Sequence, residues 1–280
     1  MGRDVQEQIR AKAKSLLESG DVKVVIGWTR GSVPERTAPV FVTRPEDCAK
    51  LVWNRNCKNN LAVYLGKKEV QALGKPAIVA KGCDSKSIVG LIQEHQVTRE
   101  GIFIIGVACE GIDEPMCADC EVRTPHVYDE FIGEKLEPSA QDGALEEIED
   151  LEKMEPAGRW EFWKKEFERC IKCYACRTAC PLCYCTRCIV DKNQPQWISP
   201  CQHARGNLSW NIIRAMHLAG RCVGCGACAR ACPMDIKIDL VNRKLAKVVQ
   251  ERFDYKAGKD IKAPFPMASF KLDDKEEFIQ

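Results

Sequence analysis

The sequence has 280 residues, 45% of them hydrophobic, and a formal net charge of +2, so it can form one or two domains with a buried core. A charge this close to zero gives no reason to expect binding to nucleic acid or to a charged membrane surface. No apolar run approaches the ~18 residues of a membrane span, and the polar N-terminal segment lacks an apolar signal core. We therefore expect a cytoplasmic protein without a membrane span.

Residues 1–132 alternate between helical and strand patterns, which is typical of an α/β domain. An amphipathic helix is predicted over residues 6–19, with its apolar positions on one side and Gly20 after its end. Short apolar strands between helices favour a mainly parallel sheet. The other predicted elements are strands at residues 22–27, 61–65, 77–80 and 102–108, and helices at residues 45–53 and from 84 or 85 to about 95.

The rest of the chain divides by composition into three segments. Residues 133–160 are acidic and helix-prone, which indicates a linker or an exposed helix. Residues 161–243 hold most of the cysteines and predict a helical, loop-rich domain. Residues 244–280 have few apolar positions and contain two prolines, so we expect an extended C-terminal arm of the kind that orders against another subunit.

Eighteen cysteines are the outlying feature of the composition. Disulfide frameworks are typical of short secreted chains, whereas cysteines in a long cytoplasmic chain are more often metal ligands. The pattern C-x2-C-x2-C-x3-C-P occurs twice, and each run can wrap around a [4Fe–4S] cubane. Zinc is the weaker alternative. The first run is Cys170, Cys173, Cys176, Cys180, and the second is Cys222, Cys225, Cys228, Cys232.

The last cysteine of each run is expected to cross over to the other cluster, as it does in two-cluster ferredoxins with this spacing. Crossed ligation brings the two cubanes close together, so that electrons can pass between them. The sequence thus predicts a dicluster ferredoxin domain. Its cluster A site is Cys170, Cys173, Cys176 and Cys232, and its cluster B site is Cys222, Cys225, Cys228 and Cys180.

Two further cysteines follow predicted strands, where those strands end. Cys83 comes after the third predicted strand, and Cys109 comes directly after the fourth. The carboxyl ends of parallel strands meet at one edge of a sheet, where α/β folds place their sites. The loop beyond adds Cys117 and Cys120 as a C-x2-C pair. We predict that these four thiols form a third site, for another [4Fe–4S] cluster; zinc and unrelated thiols remain the alternatives.

Four more cysteines, spaced C-x-C-x2-C-x12-C, follow the first run. This spacing matches no ligand pattern with a known mechanism. A fourth metal site, for a cluster or zinc, and thiols packed beside cluster B are both open interpretations. These cysteines are Cys183, Cys185, Cys188 and Cys201. Cys48 and Cys57 are predicted to be core or surface thiols.

No arrangement of residues for catalysis is visible in the sequence. It has no phosphate-binding lysine loop, no glycine-rich dinucleotide loop after a strand, and no Ser–His–Asp or paired-carboxylate arrangement. Whether the chain is an enzyme stays open, and a non-catalytic electron-transfer subunit without a small-molecule substrate of its own is favoured. A thiol enzyme that uses the four cysteines after the first run is a further alternative.

The order of the cysteines resembles that of a known family. The chain looks like the β subunits of deazaflavin (coenzyme F420) hydrogenases and dehydrogenases in the stretches VAKGCDSKSI, IIGVACEG and CADCEVRTPHVYDEFIG. It resembles the β subunits of the related formate dehydrogenases in RCIKCYACRTACPLCYCTRC and in HLAGRCVGCGACARACP. Together the matching stretches cover about residues 20–240.

The resemblance implies a cubane at the third site. It also implies a subunit of an anaerobic redox complex that passes electrons between a catalytic subunit, such as a formate dehydrogenase or hydrogenase, and a flavin-containing or heterodisulfide-reductase-like partner. The family's glycine pair at the flavin site is replaced here by Arg10-Ala-Lys-Ala-Lys14, so FAD stays an open question. The alternative function is a flavin-containing β subunit that itself oxidises reduced deazaflavin or NAD(P)H.

Overall fold

The computed structural model describes residues 3–112, 117, 120–138, 146–266 and 270. An α/β part comes first, followed by a helical, loop-rich part that holds the two cysteine runs. The predicted fold class is confirmed, because the sheet has five strands and is mostly parallel. Across these described ranges, no helix combines the length and the apolar character needed to cross a bilayer.

The sheet has the strand order β2-β1-β3-β4-β5. β1, β3, β4 and β5 run parallel, and β2 is antiparallel at one edge. β3 and β4 are buried along nearly their whole length, as expected for central strands covered on both faces. The strands are Val24–Arg30 (β1), Thr37–Val42 (β2), Pro76–Ala80 (β3), Phe103–Val107 (β4) and Glu130–Ile132 (β5).

Two strands were not predicted, and one predicted strand is wrong. β2 is only half-buried along most of its length and β5 is very short, so neither shows a clear apolar period. A 3-10 helix, Leu61–Tyr64, replaces the strand predicted at residues 61–65. The cause is Asn60, whose side chain accepts a hydrogen bond from the N–H of Ala62 at 3.1 Å and caps the turn.

The three helices predicted in the α/β part lie close to their predicted positions, and the short helix Lys68–Gln71 was not predicted. The third begins earlier than predicted, because Asp84 sits one turn inside the helix and accepts a hydrogen bond from the N–H of Lys81 at 2.9 Å. The helix predicted at residues 45–53 is a 3-10 helix. The spans are Arg3–Ser19 (α1), Pro45–Lys50 (3-10), Lys68–Gln71 (α2) and Gly82–Gln93 (α3).

Helices of the C-terminal part surround the two cysteine runs. The helix that connects the two runs is capped by His203, since its ring accepts a hydrogen bond from the N–H of Gly206 at 3.2 Å. The spans are Glu146–Lys153 (α4), Pro156–Glu168 (α5), Ala175–Thr178 (α6), Ile189–Asp191 (3-10), Ala204–His217 (α7), Ala227–Arg230 (α8) and Ile238–Phe253 (α9).

The acidic segment at residues 133–160 contains α4 and the start of α5. α4 packs along α9 through the ion pairs Glu147–Lys237 and Glu152–Lys244. Acidic side chains of this segment thus form ion pairs with Lys237, the N-cap residue of α9, and with Lys244 inside that helix. Residues 139–145, which the prediction also covers, lie outside the described residues.

The extended arm predicted from residue 244 is wrong over its first part, because α9 continues to Phe253 with an amphipathic pattern. Beyond α9, Tyr255 and Phe265 pack against the core of the α/β part, so this stretch is ordered against its own chain. Residues 267–269 and 271–280 lie outside the described residues. The division of the chain at residues 132, 160 and 243 remains a proposal, and α9 crosses the last boundary.

Apolar side chains form two cores. The larger surrounds the sheet and includes Leu182, Leu218 and Val223 from the C-terminal part. The smaller lies under the first cysteine run, around Phe167 and Trp210. Since the larger core reaches beneath the second run, that run is packed directly against the α/β part.

Candidate iron–sulfur centres

The two cysteine runs form loops of the same shape. In each run, the two residues that flank the second cysteine have positive φ angles. The angles are 52° at Lys172 and 58° at Tyr174 in the first run, and 69° at Gly224 and 67° at Gly226 in the second. These left-handed residues bend the backbone so that it can wrap around a common centre. Glycine adopts the conformation freely, whereas lysine and tyrosine do so at a cost of roughly 1–2 kcal/mol each.

Four cysteines line one cavity in the first run's loop, and they are the set predicted for cluster A: Cys170, Cys173, Cys176 and Cys232. The cavity measures about 360 Å³ with its opening to solvent included. Tyr174 and Trp210 form part of its wall and meet edge to face, with ring centroids 5.0 Å apart. Cys173 is exposed, so the cluster A site opens to the protein surface there.

A second cavity is lined by the set predicted for cluster B: Cys222, Cys225, Cys228 and Cys180. It measures about 410 Å³ with its opening included, and Leu182, Leu218 and Val223 supply apolar walls. Asn242 on α9 donates from Nδ2 to the Cys228 Sγ at 4.0 Å. Each cavity thus contains three cysteines of one run and the last cysteine of the other.

Burial favours the protonated form of these thiols, so a bound metal must replace their protons before they can act as ligands. Burial raises the pKa of Cys222 to about 11, and it also raises the pKa values of Cys176 and Cys228. Such thiols are protonated at neutral pH, and coordination to iron supplies the positive charge that holds them as thiolates. Four soft ligands around each of two largely apolar cavities fit a [4Fe–4S] cluster.

No three His, Cys, Asp or Glu side chains of the described ranges lie close enough together to hold a single metal ion. A cubane places different demands on its ligands than a single ion does. Each of its thiolates binds a different iron corner, so the four sulfur atoms stand farther apart than the ligands of one zinc ion.

α7 separates the two runs and turns a buried polar face towards them. Asn207, Asn211 and Arg214, spaced about one helical turn apart, are almost completely buried. Nδ2 of Asn207 donates to the carbonyl oxygen of Cys170 at 2.8 Å, and Nη2 of Arg214 donates to that of Cys176 at 2.9 Å. This face, which the sequence patterns did not identify, holds the backbone of the first run.

Replacing Asn207 by Leu should lower the free energy of unfolding by about 1–3 kcal/mol, because buried carbonyl oxygens lose their donor. Iron should also leave the cluster A site faster in the presence of a chelator. Denaturant unfolding and the chelation rate measure the two effects. Ser209→Ala is the control, since in the described part of the chain the Ser209 hydroxyl bonds only to the carbonyl oxygen of Arg205 on the same helix. Equal behaviour of the two variants would contradict the role given to Asn207.

The third site begins at the carboxyl edge of the sheet. Cys83 lies at the start of α3, directly after β3, and Cys109 follows β4. The loop that carries Cys120 passes close above α3: a Cβ placed on Gly82 would lie 1.8 Å from the carbonyl oxygen of Val122. Only glycine allows this approach.

Cys109 interacts electrostatically with the other three cysteines of the third site. Burial raises the pKa of Cys109, and the charges of Cys117 and Cys120 raise it further. Burial likewise raises the pKa of Cys83, and Cys109 adds to the increase. A common site for all four thiols, as the strand ends and the C-x2-C pair predict, stays a prediction.

A buried ion pair lies beside the third site. Lys81 and Asp84 are both completely buried, with Lys81 Nζ 2.8 Å from Asp84 Oδ2 and 4.1 Å from the centroid of the Trp28 ring. Burial opposes the charge on Lys81, but Asp84 and the thiolates of Cys83 and Cys109 keep the pKa of Lys81 above its ordinary value. No sequence pattern indicated this pair.

The third site also adjoins the cluster B site. The charge of Cys225 contributes to the raised pKa of Cys83, and the charge of Asp84 contributes to that of Cys225; burial is the largest cause in both cases. Nη2 of Arg230, at the end of α8, donates to the carbonyl oxygen of Lys58 at 3.2 Å. These contacts join the second run to the α/β part.

The four cysteines after the first run have separate surroundings. A hydrogen bond from Cys180 is the largest influence on the pKa of Cys183 and lowers it. Cys183 and Cys185 line an open groove, and Cys185 is exposed. Cys188 caps a 3-10 helix, and Cys201 is exposed beside Lys172. A fourth metal site on these cysteines stays a prediction.

Cys48 and Cys57 are both buried in the larger core. Burial raises the pKa of Cys57 to about 11, so it is an unreactive thiol at neutral pH.

Comparison with known proteins gives three findings. The family model described as a 4Fe-4S binding domain matches residues 218–237, which contain the second run. The chain is 24% identical to the F420-dependent formate dehydrogenase subunit beta of Methanocaldococcus jannaschii, over 91% of this chain and 92% of that protein. It is 22% identical to the F420-dependent formate dehydrogenase 1 subunit beta of Methanococcus maripaludis, over 91% of each. The predicted resemblance is confirmed.

A solved structure also matches part of the chain. It is a structure of the F420-reducing [NiFe] hydrogenase complex from Methanosarcina barkeri, with 19% identity, a TM-score of 0.30, and coverage of 39% of this chain and 41% of that one. A match at this level does not bear on the fold or the function.

Proposed function

We propose that this chain, a homologue of formate dehydrogenase β subunits with a 4Fe–4S binding domain, is an iron–sulfur electron-transfer subunit of a multi-subunit oxidoreductase. It relays electrons one at a time through three [4Fe–4S] clusters, held at the cluster A site, the cluster B site and the third site. The observation that carries the proposal is the arrangement of the cysteines in two cavities of four, the second of which adjoins the third site.

The order of the three sites supports a relay. Cys176 and Cys180 lie four residues apart in the first run, yet each lines a different cavity. Cys225 of the cluster B site and Cys83 of the third site are near enough for their charges to interact. Cluster B would therefore lie between the other two, and an electron would cross the chain in two short steps.

The two ends of this series suggest two partners. At the cluster A end, Cys173 and the neighbouring apolar Ile171 are exposed, so a partner could bring its own redox centre close. We propose that a catalytic subunit, such as a formate dehydrogenase or hydrogenase, docks at one end. A flavin-containing or heterodisulfide-reductase-like subunit would dock at the other.

Iron analysis of the anaerobically purified chain tests the proposal. We expect about twelve irons and an equal number of inorganic sulfides per chain, because each of three cubanes contributes four of each. Redox-titrated electron paramagnetic resonance (EPR) should show interacting cubane signals. About eight irons would remove the third site from the relay, and about sixteen would place a cluster on the four cysteines after the first run.

A second candidate function is a flavoprotein that itself exchanges electrons with a deazaflavin, since the relatives are named F420-dependent. The alignment with the first relative spans 361 positions, more than the 280 residues of this chain, so the relative has segments that this chain lacks. Flavin extracted from the pure protein separates the candidates. One FAD per chain would replace the simple relay by the flavoprotein.

A further inference from the structure

α7 places one arginine between the cluster A and cluster B sites. Arg214 is 2% exposed and lines the cluster B cavity. Its Nη2 donates to the carbonyl oxygen of Cys176, a predicted cluster A ligand, at 2.9 Å. One guanidinium therefore reaches both sites.

Only part of the Arg214 guanidinium is hydrogen-bonded within the part of the chain that the structure describes. Nε and Nη1 of Arg214 are buried and have no hydrogen-bond partner among the residues that the structure describes. Around it lie predicted cluster ligands: Cys180 and Cys228 line the same cavity, and Cys176 accepts its hydrogen bond through the backbone carbonyl. A buried cation without a counter-charge is strongly unfavourable, so a group placed like this one normally faces an anion.

We propose that Arg214 tunes both cubanes at once: its free N–H groups donate to cluster sulfur atoms, and its charge raises the reduction potential of cluster A and of cluster B. The inference rests on the proposed function, because it requires a cubane at each site. A cubane with four thiolate ligands is an anion, and reduction adds a further negative charge. A buried cation and N–H···S hydrogen bonds stabilise the reduced cluster more than the oxidised cluster, which raises the reduction potential.

Two substitutions at Arg214 separate charge from shape. Arg214→Gln removes the charge and keeps a hydrogen-bond donor, so both midpoint potentials should become more negative. Arg214→Lys keeps the charge on a shorter side chain that cannot present a planar fork to two sites. Both midpoint potentials should therefore become more negative, but by less than in Arg214→Gln. Redox-titrated EPR of the full chain measures the two potentials.

Arg205→Gln is the matched control. It removes the same charge from the same helix, but Arg205 is exposed, and solvent screens its charge. Neither potential should change. The two EPR signals are assigned with Cys173→Ala, which removes a cluster A ligand, and Cys225→Ala, which removes a cluster B ligand.

The outcomes distinguish this inference from the proposed function. Wild-type protein without cubane signals would overturn the proposed function. If the wild-type signals are present, unchanged potentials in both Arg214 variants, or a shift of one cluster alone, would overturn the shared role of Arg214. If Arg214→Gln does not retain its clusters, Arg214→Lys decides, since it too must shift both potentials.

Discussion

Cys232→Ala is expected to remove the cluster of the first cysteine run and to leave the cluster of the second run in place. The reason is the crossed arrangement, in which Cys232 lines the cavity of Cys170, Cys173 and Cys176. A cubane that loses one of its four thiolates becomes labile, so we expect about four fewer irons per chain. Cys180→Ala should do the reverse and remove the cluster of the second run.

Two reference variants assign each EPR signal to its cluster directly. Cys173→Ala removes a ligand of the first-run cluster under either ligation scheme, and Cys225→Ala removes a ligand of the second-run cluster under either. With crossed ligation, the EPR spectrum of Cys232→Ala matches that of Cys173→Ala. A match between Cys232→Ala and Cys225→Ala would show instead that each run binds its own cluster.

The cysteine sets were predictable because ligand chemistry is strict about spacing. A loop of C-x2-C-x2-C reaches three corners of a cubane, and the fourth ligand must come from elsewhere. The third set is predicted for a different reason, since strand ends of a parallel sheet share one edge and place Cys83 near Cys109. In both cases, local sequence and a general rule of topology support the prediction.

The surroundings of the clusters were not predictable, because they depend on which face of a helix is buried. On α7, Asn211 and Arg214 are buried, while Ile212 and Met216 are 41% and 56% exposed. A prediction based on hydrophobicity assigns these faces the other way round. The polar face is buried because carbonyl oxygens of the first cysteine loop are its partners, and these are brought there only by the tertiary fold.

Lys81 was missed for a related reason. A lysine after the predicted strand at residues 77–80 is expected in a solvent-exposed turn, and nothing in the local pattern indicates that Trp28 and Asp84 enclose it. Burial of a lysine is unusual unless it is paired. Its pairing partner lies within one turn of α3, but the enclosure comes from other elements of the fold.

Lys81→Met should destabilise the protein by about 3–5 kcal/mol, because it leaves the Asp84 carboxylate buried without a counter-charge. The loss should extend to the third site, since Asp84 holds the N-terminus of α3, where Cys83 lies, through the N–H of Lys81 at 2.9 Å. We therefore expect iron at the third site to be lost before iron at the cluster A site. Denaturant unfolding and iron content measure the two effects.

The double variant Lys81→Met/Asp84→Asn tests whether the ion pair is the cause. Asparagine keeps an oxygen that can accept from the N–H of Leu61, as Asp84 does at 2.8 Å, but it carries no charge. The double variant should therefore be more stable than Lys81→Met alone. Lys153→Met, which breaks an exposed pair with Asp150, should leave stability unchanged. If Asp84→Asn instead destabilised the Lys81→Met variant further, the instability of Lys81→Met would come from lost packing against Trp28 rather than from the unpaired charge.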